Sequence, residues 1–403
     1  VTFSAEVTGD APFEYYWDFA GGASPNQSSG VSDQPSATAT LSRGGTLPEP
    51  VRTYPASLTV VNPFGMSTHD FNLSISAWWH VEEIPVGPNP DCSVYVTIGP
   101  DGDVYGLNRS DGTLVLRLIN SEWQIEAKLD DGYDSDTWLA FDSQGTISIV
   151  GLSSGYPGSS VWFSQYKNDS WTHDYVGTDF WPGYPSLVFD SSDRPVIAYR
   201  SLVGGGSMAR KTVVATKEGG EWDLNVVSEE DEDRITGFFG LDTGPDNRWI
   251  LGYRVSPTSG GEPPPEVLIL RESESGFTRE TVMENAWGYD LALTPEGKAV
   301  ILFGSEGWLR VARETEGDWT FENVAFHVGD VSMAAGPDGT EIVTFTDHGE
   351  EGWEDDQAYW AWFHDGEWDI KLLPDPDALG SEAMFHPDGL PVLFTGTKMA
   401  MYW

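Results

Sequence analysis

Aromatic and arginine side chains are concentrated in the longer connecting segments of this sequence. The aromatic candidates for ligand contact are Trp181, Tyr184, Trp287, Tyr289, Trp308 and Trp353, and the basic ones are Arg200, Arg254 and Arg310. Aromatic rings stack on the apolar faces of pyranose rings, and arginine donates hydrogen bonds to sugar hydroxyls. Together these residues predict a carbohydrate-binding surface. The alternative for each ring is packing between neighbouring sheets.

Runs of acidic residues indicate a second chemistry, the binding of a hard cation. The nearest approach to a calcium loop is Asp130, Asp131, Asp134 and Asp136, in the segment DDGYDSD. Calcium takes about six to eight oxygen ligands, but this segment lacks the distal glutamate of an EF-hand loop. A solvated run of charge is therefore the favoured interpretation. Calcium is the one cofactor that we keep as a hypothesis.

No residue is assigned to catalysis from the sequence. The motifs of nucleophile elbows, HExxH zinc sites and P-loops are absent. Of the seven histidines, His327 and His348 alone fall near the long connections. Paired carboxylates for glycoside hydrolysis, or a set of tyrosine, histidine and arginine for a lyase, remain open.

Two recurring signals indicate which elements position these residues. One is a four-residue turn between two apolar stretches, with Pro at its second position or Gly, Asn or Asp at its fourth. Pro presets the backbone angle φ, and Gly or Asn accepts the left-handed conformation, so each is predicted to be a tight hairpin turn. The turns occupy residues 99–102, 142–145, 190–193, 244–247, 294–297, 336–339 and 386–389.

The other signal is an aromatic residue directly after a polar turn. Its members are Trp123, Trp171, Trp222, Phe277, Trp319 and Trp368, at spacings of 42 to 55 residues. This is the period of four-stranded propeller blades of about 40 to 50 residues. Because the tryptophans repeat, we expect them to pack between blades. Residues 77–403 are therefore predicted to form a seven-bladed β-propeller.

The two ends of this repeat complete one another. Residues 381–403 contain one turn and three predicted strands, whereas 78–86 supply a strand without a preceding turn. We predict that both fragments form one blade, which pairs the ends of the repeat and removes an open sheet edge. The pattern resembles the broad class of secreted bacterial propellers with BNR- or kelch-like repeats. It departs from sialidases, since SQYKNDSW (164–171) is only a partial Asp-box.

Residues 1–76 alternate apolar and polar residues at the period of half-buried strands and predict a small β-sandwich. The segments Phe3-Ser4-Ala5, Trp17-Asp18-Phe19 and Leu58-Thr59-Val60 resemble the PKD (polycystic kidney disease) domain. The resemblance implies an Ig-like sandwich of extracellular and cell-surface proteins, whose usual first strand is missing here. Trp17 is expected in the core, and Asp18 is expected to cap the following turn.

The composition excludes several classes of function. The 403 residues include 64 Asp and Glu but only 21 Lys and Arg, a net charge of −43. That charge repels nucleic acid and anionic membrane surfaces. A single cysteine, Cys92, excludes an intrachain disulfide and a CxxC zinc site. The sequence contains no apolar run of about 18 residues that would predict membrane insertion.

From the sequence we therefore expect an all-β extracellular or cell-surface protein, with a PKD-like sandwich at 1–76 and a propeller at 77–403. Its expected function is non-catalytic recognition or scaffolding, in which the loop-rich propeller face binds a glycan or another surface protein. Two alternatives stay open: a polysaccharide hydrolase or lyase that uses carboxylates at the propeller channel, and a subunit of a surface layer or filament. Fold alone does not decide among them.

Overall fold

The chain forms β-strands throughout the part that the structure describes. This computed structural model describes residues 2–5, 7, 13–19, 23–25, 27–32, 34–38, 40–41, 51–76, 79–83, 95–108, 113–119, 122–129, 135–153, 159–202, 210–229, 234–257, 264–326, 328–347, 357–364, 366–373, 381–395 and 398–402. Contacts divide the chain into two units, Val1–Trp79 with Tyr402–Trp403, and His80–Met401. The described residues contain no helix that is long and apolar enough to cross a membrane.

Short strands of the first unit share one apolar core. Its strands are β1 (Thr2–Ser4), β2 (Phe13–Asp18), β3 (Ala23–Ser24), β4 (Gln27–Ser32), β5 (Ser36–Thr38), β6 (Thr40–Leu41), β7 (Val51–Asn62) and β8 (Gly65–Ser76). One sheet has the order β4-β2-β7-β8, while β1 pairs with β5 and β3 with β6. Trp17, Ala37 and Leu58 are buried together, so the expectation that Trp17 lies in the core is confirmed. Asp18 Oδ2 accepts a hydrogen bond from Gln27 Nε2 at 3.1 Å.

Strands of the second unit follow one another as antiparallel meanders. They are β9 (Trp79–Glu83), β10 (Tyr95–Ile98), β11 (Val104–Asn108), β12 (Thr113–Ile119), β13 (Glu122–Leu129), β14 (Ser135–Phe141), β15 (Ile147–Ser153), β16 (Ser159–Lys167), β17 (Ser170–Phe189), β18 (Pro195–Leu202), β19 (Arg210–Glu218), β20 (Glu221–Glu229), β21 (Arg234–Thr243), β22 (Trp249–Pro257), β23 (Glu266–Ser273), β24 (Gly276–Glu284), β25 (Trp287–Leu293), β26 (Ala299–Ser305), β27 (Trp308–Glu314), β28 (Trp319–Phe326), β29 (Val328–Ala335), β30 (Glu341–Asp347), β31 (Gln357–His364), β32 (Glu367–Leu372), β33 (Ser381–Phe385), β34 (Pro391–Thr395) and β35 (Lys398–Tyr402).

These strands form repeated four-stranded sheets. Strands β10–β13, β21–β24, β25–β28 and β29–β32 each make one sheet in sequence order. Strands β14–β20 make a seven-stranded sheet, because β17 pairs with β16 through its first half and with β18 through its second. A further sheet has the order β33-β34-β35-β9, so that an early strand completes the last sheet.

The first strands of successive sheets lie side by side in a closed ring. Contacts join β10 to β14, β14 to β17, β17 to β21, β21 to β25, β25 to β29, β29 to β33 and β33 back to β10. Apolar side chains fill the space between neighbouring sheets. Val96 and Val104, for example, pack against Val392 and Phe394 where the ring closes. Middle strands are buried on both faces, as at 267–270, which explains their continuous apolar sequences.

All seven predicted hairpin turns lie among the described residues and are confirmed. In each, the N–H of the fourth residue donates to the carbonyl oxygen of the first at 2.7 to 3.0 Å. The fourth residue has φ between +60° and +84°; Asp193 and Asn247 occupy this position in two turns and Gly in the others. These turns join the first strand of each sheet to the second. We call the end of the ring where they lie the turn face.

Several of these turns also contact the next turn around the ring. The pairs joined by a proline ring are Pro100 with Gly145, Pro245 with Gly297 and Pro337 with Gly389. The hydrogen-bonded pairs are Ser143 with Asp193 and Ser191 with Asn247, whose N–H to Oδ1 distances are 2.7 and 3.0 Å. His386 of the last turn lies against Gly102 of the first. The fourth residue of a turn therefore contacts the preceding turn, through packing in some pairs and through a hydrogen bond in others.

The repeated tryptophans pack between sheets, as the sequence predicts. Each lies against a hydrophobic cluster drawn from two neighbouring sheets; they are Trp123, Trp171, Trp222, Trp319 and Trp368. The Trp171 indole N–H donates to the Lys128 carbonyl oxygen at 3.0 Å, and that of Trp319 donates to Glu280 Oε1 at 2.6 Å. Both acceptors lie on the fourth strand of the preceding sheet. Repetition in the sequence thus marks residues that join sheets.

Candidate functional site

The end of the ring opposite the turn face carries the connections that follow the second and fourth strands, and we call it the loop face. Seven of the nine residues predicted to bind a ligand have described side chains near this face: Tyr184, Arg200, Arg254, Trp287, Tyr289, Trp308 and Arg310. The side chain of Trp181, and the whole of Trp353, lie outside the described residues.

Three of the predicted aromatics line one cavity of about 350 Å³. Trp287 and Tyr289 belong to β25 and Trp308 begins β27; their side chains are 44%, 39% and 37% exposed. Ser305 and Glu306 add polar groups to the wall. Binding sites for small molecules have volumes of about 300 to 1,000 Å³ and combine aromatic walls with a few polar groups. The cavity therefore has the size and lining of a small ligand site.

A β-bulge presents the Tyr289 ring to this cavity. The register of β25 against β26 shifts between Gly288 and Asp290, which leaves Tyr289 as the extra residue. Bulges re-aim side chains and are frequent beside functional sites. The Tyr289 hydroxyl lies 2.7 Å from the point that a Cβ at Gly304 would occupy. Gly304 therefore leaves space for the Tyr289 ring against β26.

Arg254 of β22 stacks on the cavity wall. Its guanidinium carbon lies 5.0 Å from the centre of the Trp287 ring, a cation–π distance. Burial lowers the pKa of this guanidinium, and the nearby Tyr289 hydroxyl opposes that change. Among the described residues, no carboxylate lies within ion-pair distance of Arg254. The described neighbours of the Arg254 guanidinium therefore include two aromatic groups, the Trp287 ring and the Tyr289 hydroxyl.

Arg200 of β18 has a similar setting in the preceding sheet. Its guanidinium carbon lies 5.5 Å from the centre of the Tyr184 ring. Gly183 is the residue opposite Arg200 in the pairing of β17 with β18. Tyr184 is 67% exposed and has φ of +51°, an unusual conformation for an aromatic residue and more so before a proline. The backbone strain thus holds this ring over the arginine.

The two arginines meet at Gly237, a buried residue of β21 that the sequence did not single out. The point that a Cβ would occupy at Gly237 lies 3.6 Å from Arg200 Nη1 and 3.7 Å from Arg254 Nε. Glycine inside a strand often marks a close approach by another group. The only available sequence signal was the pair of glycines in ITGFFGLDT (235–243).

Arg310 differs from Arg254 because a carboxylate accompanies it. Its Nη2 lies 3.6 Å from Glu306, whose side chain is 79% exposed. Arg310 itself is outside the wall of the 350 Å³ cavity, although Glu306 belongs to it. The structure therefore links Arg310 to the site through Glu306.

The predicted calcium residues cannot be placed. Asp130, Asp131 and Asp134 lie outside the described residues, and Asp136 lies in β14 with a side chain that is not described. His327 and His348 are also outside the described ranges. Within those ranges, no group of three or more His, Cys, Asp or Glu side chains is arranged to hold a metal ion.

Carboxylates of the first strands form a feature that the sequence reasoning missed. Burial raises the pKa of Asp290 to about 6, although backbone N–H groups favour its charged form. Asp290 Oδ2 accepts hydrogen bonds from Met333 N at 2.7 Å and Ser332 Oγ at 3.2 Å, which joins β25 to β29. Burial also raises the pKa of Asp242 to about 6, and that of Glu382, which has Asp290 nearby, to about 7.

A larger cavity of about 820 Å³ opens among the hairpins of the turn face. Its wall includes apolar residues from many first strands, such as Leu139, Leu187, Leu293 and Phe385, together with the turn prolines. Asp242 is the carboxylate of the inner-strand group that reaches it. The polar and aromatic groups expected of a sugar site are instead on the loop face.

Comparison with known proteins identifies the architecture. No protein-family model matches the chain, and no curated protein matches it in sequence. Solved structures do resemble it. A streptogramin B lyase superposes with a TM-score of 0.52 and 14% identity, over 81% of this chain and 97% of the lyase.

A polysaccharide lyase of family PL25, an ulvan lyase, superposes with a TM-score of 0.52 and 13% identity, over 77% of this chain and 93% of that one. A GH93 α-L-arabinofuranosidase of Fusarium graminearum, in complex with arabinobiose, gives a TM-score of 0.49 and 12% identity, over 81% and 98%. The structures that resemble this chain are β-propeller proteins. With its repeated four-stranded sheets, this all-β chain has a β-propeller fold.

Proposed function

We propose that this protein binds and cleaves a polysaccharide on the loop face of a seven-bladed β-propeller. The observation that carries the proposal is the 350 Å³ cavity, in which Trp287, Tyr289 and Trp308 surround a space that also contains Glu306. Aromatic faces of this kind stack on pyranose rings. The ring of first strands supports this blade count, with β17 counted as the last strand of one blade and the first of the next.

Two solved structures support the cleaving activity. Both structures with TM-scores above 0.5 that are described above are lyases, and one of them is a polysaccharide lyase. The non-catalytic function expected from the sequence is therefore supported less well than the polysaccharide-active alternative. At 13% and 14% identity these structures support the fold directly and the activity by analogy.

Proton transfer on the loop face would use groups of the cavity itself. Glu306 has an exposed carboxylate and the left-handed φ of +53°, which holds its side chain at the tip of the β26–β27 hairpin. Tyr289 offers a hydroxyl beside the Arg254 guanidinium. Carboxylate and tyrosine side chains are both established general acids and bases. We assign these two residues as the candidates for proton transfer.

Two of the inner-strand carboxylates are weaker candidates for catalysis than Glu306 and Tyr289. Asp290 and Asp242 both accept hydrogen bonds from backbone N–H groups of the neighbouring first strand, Met333 and Leu293 respectively. These bonds give them a structural role at the channel. Glu382 has no such bond to a described residue and keeps a pKa of about 7, in the range suited to a general acid.

The activity can be tested with a panel of neutral and acidic polysaccharides. Release of reducing ends measures cleavage, and ultraviolet absorbance of an unsaturated sugar product separates a lyase from a hydrolase. We expect Trp287→Ala to reduce cleavage at least tenfold and Glu306→Gln or Tyr289→Phe to reduce kcat more than KM. Binding by the native chain without cleavage of any polymer would overturn the enzymatic proposal.

Non-catalytic recognition is the second candidate. It is favoured by the structural hydrogen bonds of Asp242 and Asp290, which occupy two of the described inner-strand carboxylates. We also retain three proposals from the sequence: a PKD-like sandwich in the first unit, an extracellular or cell-surface location, and a calcium ion at Asp130–Asp136. Assembly into a surface layer or filament is a further alternative, which light scattering tests: a strict monomer at high concentration disfavours it.

A further inference from the structure

We propose that Arg200 and Arg254 bind the negatively charged group of an acidic saccharide, a carboxylate or a sulfate ester. This inference rests on the proposed function and names the class of its substrate. It concerns one place on the loop face, where two guanidinium groups from neighbouring sheets flank Gly237.

The geometry at Gly237 suits an anion. Arg200 Nη1 and Arg254 Nε lie 3.6 and 3.7 Å from one point, so the two nitrogens are no farther apart than the sum of those distances. Charge-assisted hydrogen bonds from nitrogen to an anionic oxygen measure about 2.8 Å each. Two such bonds and the width of a carboxylate or sulfate span that gap. One anion can therefore accept a hydrogen bond from both arginines.

Among the described residues, Arg254 also lacks the kind of carboxylate partner that Arg194 has. On the turn face, Arg194 bonds to Asp190 and Glu272, and its pKa is raised because these carboxylates outweigh the effect of burial. No carboxylate of the described residues pairs with Arg254, although the chain has 64 acidic residues. A half-buried charge without a counter-charge is costly. An anionic ligand would remove that cost.

Aromatic rings connect the two arginines to the sugar cavity. The Tyr184 ring covers Arg200 and the Trp287 ring covers Arg254. Trp287 also lines the 350 Å³ cavity with Tyr289. Arg254 does not itself line the cavity, so the Trp287 ring would connect a saccharide ring in the cavity with this guanidinium. The charge of the sugar and its apolar face would be recognised by adjoining groups.

The net charge of the protein sets a condition on this binding. A charge of −43 repels a polyanion at long range, whereas the two arginines attract an anion only at short range. At about 0.15 M salt the Debye length is about 8 Å, so the repulsion is screened more than the contact. Binding of a short acidic oligosaccharide should therefore be measured at this salt concentration or above.

The test is a titration of the native chain with short saccharides in matched pairs. Oligomers of galacturonate, glucuronate and mannuronate are each compared with the carboxyl-reduced neutral form, and sulfated galactose oligomers with the desulfated form. Calorimetry or tryptophan fluorescence gives the dissociation constants. We expect at least one acidic oligomer to bind ten or more times as tightly as its neutral partner, and the carboxylate and sulfate arms identify the group.

Three variants locate the effect. Arg254→Met removes one guanidinium, and Gly237→Ala places a methyl group 3.6 and 3.7 Å from a nitrogen of each arginine without removing charge. The nearest atoms to this methyl are 3.6 Å away, an ordinary contact, and the φ of Gly237 is not left-handed, so the fold should be retained. Arg248→Met is the control, because Arg248 is an exposed turn-face arginine whose loss changes the net charge equally.

Each outcome decides the inference. Loss of the preference for the acidic form in Arg254→Met and Gly237→Ala, but not in Arg248→Met, supports it. Equal binding of acidic and neutral partners, abolished by Trp287→Ala, overturns the anion site and leaves the proposed function standing. Binding of no saccharide at all overturns both. An equal loss of acidic preference in Arg248→Met also overturns the anion site, since net charge alone would then explain it.

Discussion

Two half-buried arginines on opposite faces of the ring have contrasting surroundings. On the turn face, Arg313 bonds to Glu341 at 2.7 Å and Glu322 at 2.7 Å and lies 3.7 Å from the centre of the Phe363 ring. On the loop face, Arg254 stacks on Trp287 without a carboxylate among the described residues. The carboxylate bonds outweigh burial and raise the pKa of Arg313, whereas burial lowers that of Arg254.

This contrast separates groups that hold the ring together from groups free to bind something else. Glu341 follows a turn-face hairpin in the sheet after that of Arg313, so their ion pair joins two sheets. Arg254 forms no ion pair with a described residue. A side chain whose bonding capacity is used within the fold contributes stability, and one whose capacity is unused is available to a ligand.

The largest difference in unfolding free energy is expected between a variant that lacks Arg313 and one that lacks Arg254. Arg313→Met leaves Glu341, which is 4% exposed, as a buried charge without a partner, and we expect it to lower the free energy of unfolding by about 4 kcal/mol. Arg254→Met removes a half-buried charge with no described counter-charge, so we expect that free energy to stay the same or to rise. Urea unfolding of both variants provides the measurement. Equal losses of stability would remove the distinction between the faces.

The next largest difference in stability is expected between alanine substitutions at two glycines. Gly297 has φ of +78°, and a Cβ there would lie 2.6 Å from Pro245 Cδ in the neighbouring turn. We expect Gly297→Ala to cost about 3 kcal/mol, from the left-handed backbone and the collision together. Gly237→Ala on the loop face should leave the unfolding midpoint nearly unchanged. A stable Gly297→Ala variant would show that turn-to-turn contacts contribute little.

The inner-strand carboxylates predict a pH dependence that belongs to the fold and not to the loop face. The raised pKa values of about 6 for Asp290 and about 7 for Glu382 exceed the value of about 4 in an unfolded chain. The folded chain therefore binds more protons between about pH 4 and 7. The free energy of unfolding should fall as pH rises through this window.

Glu382→Gln tests this dependence because it removes one titrating group. We expect the fall in unfolding free energy from about pH 4.5 to 7.5 to be smaller by about 2 kcal/mol, less than the full shift implies because the side chain keeps some solvent contact. Saccharide affinity at Arg254 should stay constant over the same range, since guanidinium groups remain charged. Parallel stability curves for variant and parent would contradict the prediction.

The smallest effect compares two tryptophans. Trp171→Phe removes the indole hydrogen bond to the Lys128 carbonyl oxygen and should cost about 1 kcal/mol. Trp308→Phe changes an exposed ring of the loop-face cavity and should cost less than about 0.5 kcal/mol while weakening saccharide binding. Thermal unfolding and a binding titration on the same samples distinguish the two roles. Reversed effects would show that Trp308 is a packing residue.

The features that could be predicted from the sequence are the repeated ones. The hairpin turns can be recognised from Pro, Gly and Asn at fixed positions, because only a few residues tolerate their backbone angles. Trp171 and Trp319 repeat because each sheet needs the same contact with the one before. An acid such as Asp290 occurs once in an apolar strand, and nothing in a single sequence says that its carboxylate reaches Met333 of another sheet.

The candidate site was predictable as a list of residues but not as an arrangement. Trp287 and Arg254 could be proposed separately as sugar contacts, since their types suit that chemistry. Their stacking depends on where β22 and β25 lie around the ring, which is tertiary information. Gly237 carries no chemistry of its own, and its importance appears only when both arginines are seen to approach it.

The ring also has a seam. Successive sheets are joined by the chain itself, whereas β9 belongs to the last sheet through its pairing with β35. Tension applied between β9 and β35 would therefore act directly on that pairing, whereas at other positions around the ring it would first have to stretch a covalent connection. In a force spectroscopy experiment the ring should open first between β9 and β35, while the remaining sheets stay folded.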